Sequence, residues 1–288
     1  MHQRYKQFLI FFILILLLLL VGFETVSLSF KKHNPLEVHF LDIGQGDATL
    51  VQYLGSYQIL IDGGPNGKKL LSELSKVMPA TDRTIEIVIM THPDKDHFGG
   101  LIDAMKAYSV KIVLCNGQEA DTEIFRQYKK VIEEQEIKEY TLGEGSKISI
   151  GKKLDLRSFN PDVIVSSKSD RNEHSIVIRM DYGENSFLFT GDADSRSEAD
   201  MLEDQEDVNV DWLKVGHHGS KHSTTENFIK KVTPEYAIIS CGKNNRYGHP
   251  HEDVLGRLRS RDVEVLRTDT VGTILVECFD SRSKCSVR

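Results

Sequence analysis

The chain has 288 residues, 43 of them acidic and 36 basic, so its formal net charge at pH 7 is −7. This balance excludes a general attraction to polyanions, which depends on an excess of basic residues. Any nucleic acid would therefore have to be held by local basic groups.

The N-terminal region differs sharply from the rest of the chain. Residues 8–23 carry no charge and are almost entirely apolar, and Arg4 and Lys6 precede them. A membrane span needs about 20 apolar residues and a signal-peptide core needs fewer, so this stretch lies between the two. The basic flank predicts a cytoplasmic N-terminus. We expect residues 1–32 to be a cytoplasmic stub plus a single-pass membrane anchor, with an extracytoplasmic domain at 33–288. The alternative is a cleaved signal peptide and a secreted protein.

Strand-like and helical patterns then alternate along the chain. Apolar and alternating runs predict strands at 37–43, 47–53, 57–62, 85–91, 110–115, 174–182, 186–191, 211–216, 236–241, 263–268 and 272–277. Amphipathic patterns predict helices at 67–78, 100–108, 122–135, 195–204, 225–232 and 251–260. This order predicts one large layered α/β sandwich, in which catalytic groups lie in the loops at strand ends.

The four cysteines do not form a zinc-binding pattern. Cys115, Cys241, Cys278 and Cys285 make no CxxC pair and stand apart from the histidine clusters. A disulfide between Cys278 and Cys285 and a pair of free thiols are both compatible with the sequence.

The segment THPDKDHFGG contains four potential metal ligands directly after the apolar run 85–89. His92, Asp94 and Asp96 stand at alternate positions, and His97 follows. Imidazole nitrogens together with carboxylate oxygens are the ligands of zinc, manganese and iron hydrolases. A purely structural alternative is that Asp96 caps a helix beginning near residue 100. Because a turn does not need two histidines, the segment favours a metal site.

Three later segments place similar residues at strand ends. Asp192 follows a strand in FLFTGDAD, His217 and His218 follow one in KVGHHGSKHS, and His249 and His251 lie in YGHPH. Each has a simpler interpretation, such as a turn at Asp192 or a helix N-terminus at His251. Together with the THPDKDHFGG segment they predict a dinuclear centre.

Six ordered motifs now resemble a known family. FLDIGQGDATLV, ILIDGG, THPDKDHFGG, SFLFTGDAD, LKVGHHGSKHST and YGHPH are similar to motifs of the metallo-β-lactamase superfamily, specifically the hydrolase domain of ComEC-type DNA-uptake proteins. The resemblance covers residues 36–278. Asp94 replaces the second histidine of the superfamily pattern HxHxDH. ComEC proteins also carry a polytopic channel, whereas this chain has one apolar segment and cannot form a channel by itself.

The resemblance implies an αββα sandwich that binds two divalent ions, zinc or manganese. It implies that His92 and Asp94 serve the first ion and that Asp96 and His97 serve the second. It further implies that Asp192 bridges the ions. The remaining expected ligands are His249 near the second ion, with His174 and His218 left open as further ligands.

Other residues are expected to assist. Asp47 and Asp62 would support the ligand histidines from behind, because such histidines usually donate their other nitrogen to a carboxylate, although both positions also suit simple turns. His217 would support the site in the same way. Ser220 and Lys221 would contact phosphate, with a helix cap as the alternative role of Ser220.

The expected chemistry is hydrolysis. Two cations lower the pKa of a bridging water and stabilise charge on a phosphoryl or acyl oxygen. Asp96 would orient the resulting hydroxide, and His218 or His249 would donate a proton to the leaving group. The resemblance and a basic rim favour a phosphodiesterase or nuclease acting on DNA or small phosphodiesters, in DNA uptake or beside a separate importer. The expected rim residues are Arg171, Lys214, Lys221, Lys243 and Arg246. Alternatives are an acyl or lactam hydrolase and a noncatalytic binding module.

Overall fold

The computed structural model describes residues 36–161 and 171–288, which contain two β-sheets and the helices that cover them. The strands are, in chain order, β1 (Leu36–Phe40), β2 (Thr49–Tyr53), β3 (Tyr57–Ile61), β4 (Thr84–Met90), β5 (Ser109–Cys115), β6 (Lys138–Thr141), β7 (Lys147–Ile150), β8 (Leu154–Asn160), β9 (Val177–Tyr182), β10 (Asn185–Phe189), β11 (Trp212–Lys214), β12 (Tyr236–Ile239), β13 (Glu264–Arg267), β14 (Ile274–Cys278) and β15 (Ser286–Val287). The helices are α1 (Gly67–Val77), α2 (Lys95–Phe98), α3 (Leu101–Ala107), α4 (Glu123–Glu134), α5 (Ser195–Glu203), α6 (Glu226–Val232), α7 (Glu252–Arg259) and α8 (Thr268–Val271).

The two sheets share one plan. The first has the order β15-β14-β1-β2-β3-β4-β5-β6 and the second β13-β12-β11-β10-β9-β8-β7. Each begins with antiparallel pairs, β1–β2–β3 in the first and β7–β8–β9–β10 in the second. Each continues with parallel pairs, β3–β4–β5–β6 and β10–β11–β12–β13. The parallel strands end on the same side, and the helices cross back over the outer faces.

The core has three layers. Between the sheets, the Phe40 ring lies 6.1 Å from the Phe189 ring, and Phe187 stacks on Trp212 at 5.8 Å. A second apolar layer separates the first sheet from α1, α3 and α4, and a third separates the second sheet from α5, α6 and α7. This arrangement confirms the expected αββα metallo-β-lactamase-like sandwich.

Covered faces explain the sequence of the inner strands. In β4 the segment TIEIVIM is mostly buried, because helices cover one of its faces and the second sheet covers the other.

Two of the helices begin with a side-chain cap. The Asn66 side chain accepts from the Lys69 backbone N–H at the start of α1, and the Thr122 side chain accepts from the Phe125 backbone N–H at the start of α4.

The sequence patterns missed three strands between residues 138 and 160. β6 and β7 are four-residue strands at the ends of the two sheets, where most side chains face solvent. Such strands lack a continuous apolar signal. β8 does alternate, since Leu154 and Leu156 enter the core while Asp155 faces outward.

The predicted single-pass membrane location is not upheld. Among the described residues no helix is both long and apolar enough to cross a bilayer. The longest of them, α4, has 12 residues, whereas a span takes about 20. The predicted anchor at 8–23 and the domain boundary at 32/33 lie outside the described residues.

A disulfide closes the C-terminal end of the chain. Cys278 at the end of β14 is bonded to Cys285, so the structure selects the paired state of the two that the sequence allowed. Cys115 and Cys241 are buried free thiols.

The stacked rings between the sheets generate a stability prediction. Phe187 has no exposed surface, so Phe187→Ala is expected to lower the free energy of unfolding by about 3–5 kcal/mol. Guanidinium unfolding followed by circular dichroism measures the change. The control Lys68→Ala, at an exposed position of α1, should stay within about 0.5 kcal/mol of the parent. A loss below about 1 kcal/mol for Phe187→Ala would contradict the inferred packing.

Candidate metal centre

The predicted ligands gather where strands of both sheets end. His92 lies two residues beyond β4, Asp192 lies beyond β10, and His218 lies beyond β11. His97 is in the short helix α2, where Asp94 is the N-cap residue. The Asp94 side chain makes no capping hydrogen bond, and α3 begins without a side-chain cap, so the helix-capping alternative for this segment is not observed.

Asp62 fixes the ring of His97. One Asp62 carboxylate oxygen lies 2.8 Å from His97 Nδ1 and also accepts from the Thr91 hydroxyl at 2.7 Å. The other oxygen accepts from the Thr91 backbone N–H at 2.8 Å. Because Nδ1 donates to the carboxylate, the opposite nitrogen, Nε2, points toward the cluster and would present its lone pair to a bound cation. Asp62 therefore lies in the position behind His97 at which a supporting carboxylate was expected.

His92 is held by two hydroxyl groups. Its Nδ1 lies 3.1 Å from Thr91 Oγ1 and 3.1 Å from Ser175 Oγ. The Thr91 hydroxyl already donates to Asp62, and Ser175 Oγ already accepts from the Asp192 backbone N–H at 3.1 Å. Since the Thr91 hydroxyl hydrogen is committed to Asp62, Thr91 Oγ1 can only accept from Nδ1, which leaves His92 Nε2 facing the cluster.

His218 is presented by a left-handed turn. In the segment Gly216–Gly219, His217 has φ 48° and His218 has φ 55°, a region that costs a non-glycine residue about 1 kcal/mol or more. His218 Nδ1 lies 3.0 Å from the Ser240 carbonyl oxygen. Since a carbonyl only accepts, Nδ1 carries a hydrogen and Nε2 is again the free nitrogen.

Asp47 supports His218 from behind and is itself paired with a buried lysine. Asp47 Oδ1 lies 3.2 Å from His218 Nδ1, and Asp47 Oδ2 lies 2.5 Å from Lys214 Nζ. Burial opposes the charge on Asp47, but Lys214 and His218 together lower its pKa to about 2. Lys214 is only 3% exposed. It is therefore not the rim residue that the sequence analysis expected, because its charge is used to keep Asp47 ionised.

Four side chains converge on one position, which we name site A. His97 Nε2 lies 3.2 Å from Asp192 Oδ1, while His218 Nε2 lies 3.6 Å from the same oxygen and 3.5 Å from Asp96 Oδ2. Ligand atoms at about 2.1 Å from one tetrahedral zinc ion stand roughly 3.4 Å apart. Both histidine nitrogens and Asp192 Oδ1 are buried without a hydrogen-bond partner among the described residues. These orphaned atoms fit a divalent cation.

A second group, site B, involves the other carboxylate oxygen of Asp192. His92 Nε2 lies 4.0 Å from Asp192 Oδ2 and 3.7 Å from Asp94 Oδ2, and it too has no hydrogen-bond partner. Asp192 thus contributes one oxygen to each site, as a bridging ligand would. Arg171 donates to Asp94 Oδ1 at 2.6 Å, so this predicted rim residue is bound to a ligand of site B.

The charges of the cluster show what an ion would replace. Burial lowers the pKa of His218, but Asp192 and Asp47 outweigh it and raise that pKa to about 10. Burial also opposes a charge on His97, yet Asp192 and Asp62 raise its pKa well above the usual value. Protons on the two imidazoles therefore balance the buried carboxylates. Divalent ions would displace those protons and supply positive charge in their place.

His217 and His249 border the cluster. His217 is partly exposed, with Nε2 3.7 Å from Asp192 Oδ2 and Nδ1 3.3 Å from Asn172 Nδ2. The His249 ring lies 5.6 Å from that of His217 and 6.4 Å from that of His218. Burial, together with the charges of His218 and His217, lowers the pKa of His249 to about 4. His249 is neutral at pH 7, and its Nδ1 has no partner among the described residues.

Four other predicted residues lie outside sites A and B. His174 is absent from every ligand cluster of the described residues, and its carbonyl accepts from Asn116 Nδ2 at 2.9 Å. The next residue, Ser175, is the one that contacts His92. Ser220 is buried at the end of the left-handed turn, and its backbone N–H donates to the His217 carbonyl at 2.8 Å. Lys221 is exposed. His251 is the N-cap of α7, as one interpretation of YGHPH predicted.

The residues that sequence reasoning missed all act through hydrogen bonds. Thr91, Ser175 and the Ser240 carbonyl orient ligand histidines, and Lys214 neutralises a supporting carboxylate. For Lys214 a signal existed, because a lysine at the end of an apolar strand has to be paired if it is buried. A hydroxyl or carbonyl group that forms a hydrogen bond with one of these histidines has no comparable signal in the amino-acid sequence.

Comparison with known proteins places this geometry in a family. Residues 41–243 match the sequence model of the metallo-β-lactamase superfamily. The chain belongs to the metallo-β-lactamase superfamily. This fold binds divalent metals, often two and commonly zinc, in agreement with sites A and B. The family assignment confirms the resemblance that the six motifs indicated.

Relatives and solved structures add detail. The chain is 34% identical to ComE operon protein 3 of Bacillus subtilis, with 83% of this chain and 32% of the relative covered. It is 32% identical to Recombination protein 2 of Haemophilus influenzae, with 85% and 29% covered. The chain thus spans about a third of the length of these relatives. Its fold is similar to that of the metallo-β-lactamase fold protein YhfI from Bacillus subtilis, at a TM-score of 0.58 and 16% identity, over 85% of this chain and 100% of the other.

The Asp62–His97 contact generates a prediction about metal affinity. In Asp62→Asn an amide N–H replaces one carboxylate oxygen, so His97 Nδ1 loses its acceptor and Nε2 retains the hydrogen. We expect the affinity for Zn²⁺ or Mn²⁺ to fall about 10–100-fold, measured by competition with a chromogenic chelator. Asp121→Asn, at a fully exposed carboxylate, serves as the control. Unchanged affinity in a folded Asp62→Asn protein would contradict the assigned role.

The Asp47–Lys214 pair generates a stability prediction. Lys214→Met leaves a buried carboxylate without its cation, so we expect the free energy of unfolding at pH 7 to fall by about 3–5 kcal/mol. Guanidinium unfolding measures the loss. The matched variant Lys221→Met, at an exposed lysine, should change it by no more than about 0.5 kcal/mol. Equal effects of the two variants would show that the buried pair does not matter.

Proposed function

We propose that the protein is a metal-dependent phosphodiesterase that cleaves DNA or related phosphodiesters at sites A and B. The observation that carries this proposal is the convergence of orphaned ligand atoms from His92, His97, His218 and Asp192 at one edge of the sandwich, where strands of both sheets end. Asp94 and Asp96 complete the two sites and are 34% and 35% exposed. A substrate can therefore approach the centre from the side of these two carboxylates.

Each site would be held by residues already in position. Asp96, His97, His218 and Asp192 Oδ1 would hold the ion of site A, and His92, Asp94 and Asp192 Oδ2 would hold that of site B. Zinc and manganese both suit this mixture of imidazole and carboxylate. When bound, such ions lower the pKa of water and neutralise charge on a phosphoryl oxygen.

The chain's own groups position the reactants. Burial raises the pKa of Asp96, but His218 and His97 outweigh this and hold it below the usual range, so Asp96 is ionised. Its exposed side can accept a hydrogen bond from the attacking water. His218 is committed through Nδ1 to Ser240 and through Nε2 to site A. We therefore assign contact with the leaving oxygen to His249, whose neutral ring has an unpartnered nitrogen.

Several observations support a phosphodiester over an acyl or lactam substrate. Asp94 stands where the superfamily pattern has histidine, and Arg171 neutralises part of its charge. Exposed Lys95 and Arg246 lie near Asp96. Relatives are named for competence and recombination, which suggests a DNA-related role. In that role the chain would cut nucleic acid in concert with separate uptake machinery.

Cleavage assays on the full chain test the proposal. With Mn²⁺ or Zn²⁺ we expect hydrolysis of single-stranded or linear DNA that stops with a chelator and returns with metal. Asp192→Asn removes the bridging carboxylate and should lower kcat at least about a hundredfold, since the ions supply several kcal/mol of charge stabilisation. Asp121→Asn should retain parental activity.

If no DNA cleavage is observed, the metal content of the protein distinguishes the possible reasons. A folded protein that holds metal, measured by plasma mass spectrometry, yet cleaves neither DNA nor a small phosphodiester would overturn the proposal. Hydrolysis of a β-lactam or thioester by the same preparation would then favour the acyl reaction. A folded protein that binds no divalent ion would favour a noncatalytic binding module.

A further inference from the structure

A cavity of about 510 Å³ opens directly beside the metal centre. We name it the rim cavity; its walls include Gln45, Lys95, Asp96, Asn245, Arg246 and Tyr247. Asp96 belongs both to this cavity and to site A, so a molecule bound at the metal centre can extend into the cavity without a break. The volume is in the range of small-molecule sites, which is about 300–1,000 Å³.

An aromatic ring forms one wall. Tyr247 is 52% exposed, so part of its ring is accessible to a ligand in the cavity. Its ring stacks on His249, with centroids 5.8 Å apart and planes at 25°. The Arg246 guanidinium lies 5.0 Å from the ring centroid and donates to the Tyr247 hydroxyl at 2.9 Å. The wall therefore combines a flat aromatic surface with a cation.

One side chain fixes this wall in place. Asn245 Oδ1 accepts from the backbone N–H groups of both Tyr247 and His249, at 3.1 and 3.0 Å. Asn245 Nδ2 donates to the Gly242 carbonyl at 3.0 Å, and the Gly242 N–H donates to Gln45 Oε1 at 3.1 Å. The loop is thus tied to itself and to the loop between β1 and β2. A surface fixed before binding loses little entropy when a ligand stacks on it.

The rings also connect the cavity with the centre. His218 of site A lies 6.4 Å from His249, which lies 5.8 Å from Tyr247, measured between ring centroids. A phosphate at sites A and B is therefore two ring contacts from Tyr247. Lys95 and Arg246 flank the path with exposed positive charge, which suits the neighbouring phosphates of a chain.

We propose that the rim cavity receives the base of the nucleotide next to the cleaved phosphodiester, with Tyr247 as its stacking surface. The inference rests on the proposed function and narrows its substrate class to nucleic acid with unpaired bases. A base inside a duplex already stacks on its neighbours and cannot enter the cavity without being extruded. Aromatic stacking accepts every base because each presents a π-face, so the cavity confers a preference for single strands without a sequence preference.

Binding tests the base contact independently of cleavage. Fluorescence anisotropy measures the affinity of the Mn²⁺-loaded full chain for two labelled octamers, a phosphorothioate (dT)8 and an abasic phosphorothioate. Both octamers resist hydrolysis and carry equal charge. We expect the parent to prefer (dT)8 about tenfold. Tyr247→Ala should abolish the preference and Tyr247→Phe should keep it. Tyr140→Ala, which removes an equally exposed tyrosine on β6, is the matched control and should also keep it.

Cleavage supplies a second readout. The ratio of kcat/KM for thymidine 5′-p-nitrophenyl phosphate to that for methyl p-nitrophenyl phosphate should fall about tenfold in Tyr247→Ala. Equal affinity of the parent for both octamers would overturn the base site. The base site would also be overturned if Tyr247→Ala lost affinity equally for both octamers, or lost kcat/KM equally for both esters. Such equal losses would indicate that Tyr247 only supports His249. A preserved base preference without any cleavage would overturn the proposed hydrolysis and leave the base site standing.

Discussion

Buried negative charge at one edge of the sandwich is the constraint on which the site depends. Asp47, Asp62 and Asp192 are all nearly inaccessible to solvent, and a buried carboxylate without compensation costs several kcal/mol. Asp47 has the ammonium of Lys214, and Asp62 has three hydrogen-bond donors from Thr91 and His97. Within the described part of the chain, the ion-pair partners of Asp192 are all imidazoles, so its charge has to be balanced by protons on those rings or by a bound cation.

The ligand set was predictable because metal ligands are constrained in chemical type and in position relative to strand ends. His92, Asp94, Asp96, His97, Asp192 and His218 were singled out from the sequence, and the structure brings all six together. His174 shows the limit of this reasoning. The family resemblance left His174 open as a ligand, and in the structure the neighbouring residue, Ser175, contacts His92. His174 lies in the turn before β9, and sequence spacing alone does not show which of two adjacent turn residues faces the cluster.

The fold, like the site, has elements that the sequence predicted and elements that it did not. Strands buried on both faces, such as β4, are continuous apolar runs, and their positions were predicted closely. The short strands β6 and β7 at the sheet ends were not predicted, because each has only four residues and most of these residues face water. Lys214 was taken for a rim residue because charge is usually exposed. Its partner, Asp47, lies far away in the chain, and only the three-dimensional fold reveals their pairing.

The two sheets supply the ligands of site A separately. His97 and Asp96 follow β4 of the first sheet, whereas Asp192 and His218 follow β10 and β11 of the second. An ion at this position would join segments that are far apart in the chain and belong to different halves of the sandwich. Separation of the sheets would then also release the ion, so its binding free energy would add to the free energy of unfolding. Metal supply would in this way regulate the lifetime of the folded protein as well as its chemistry.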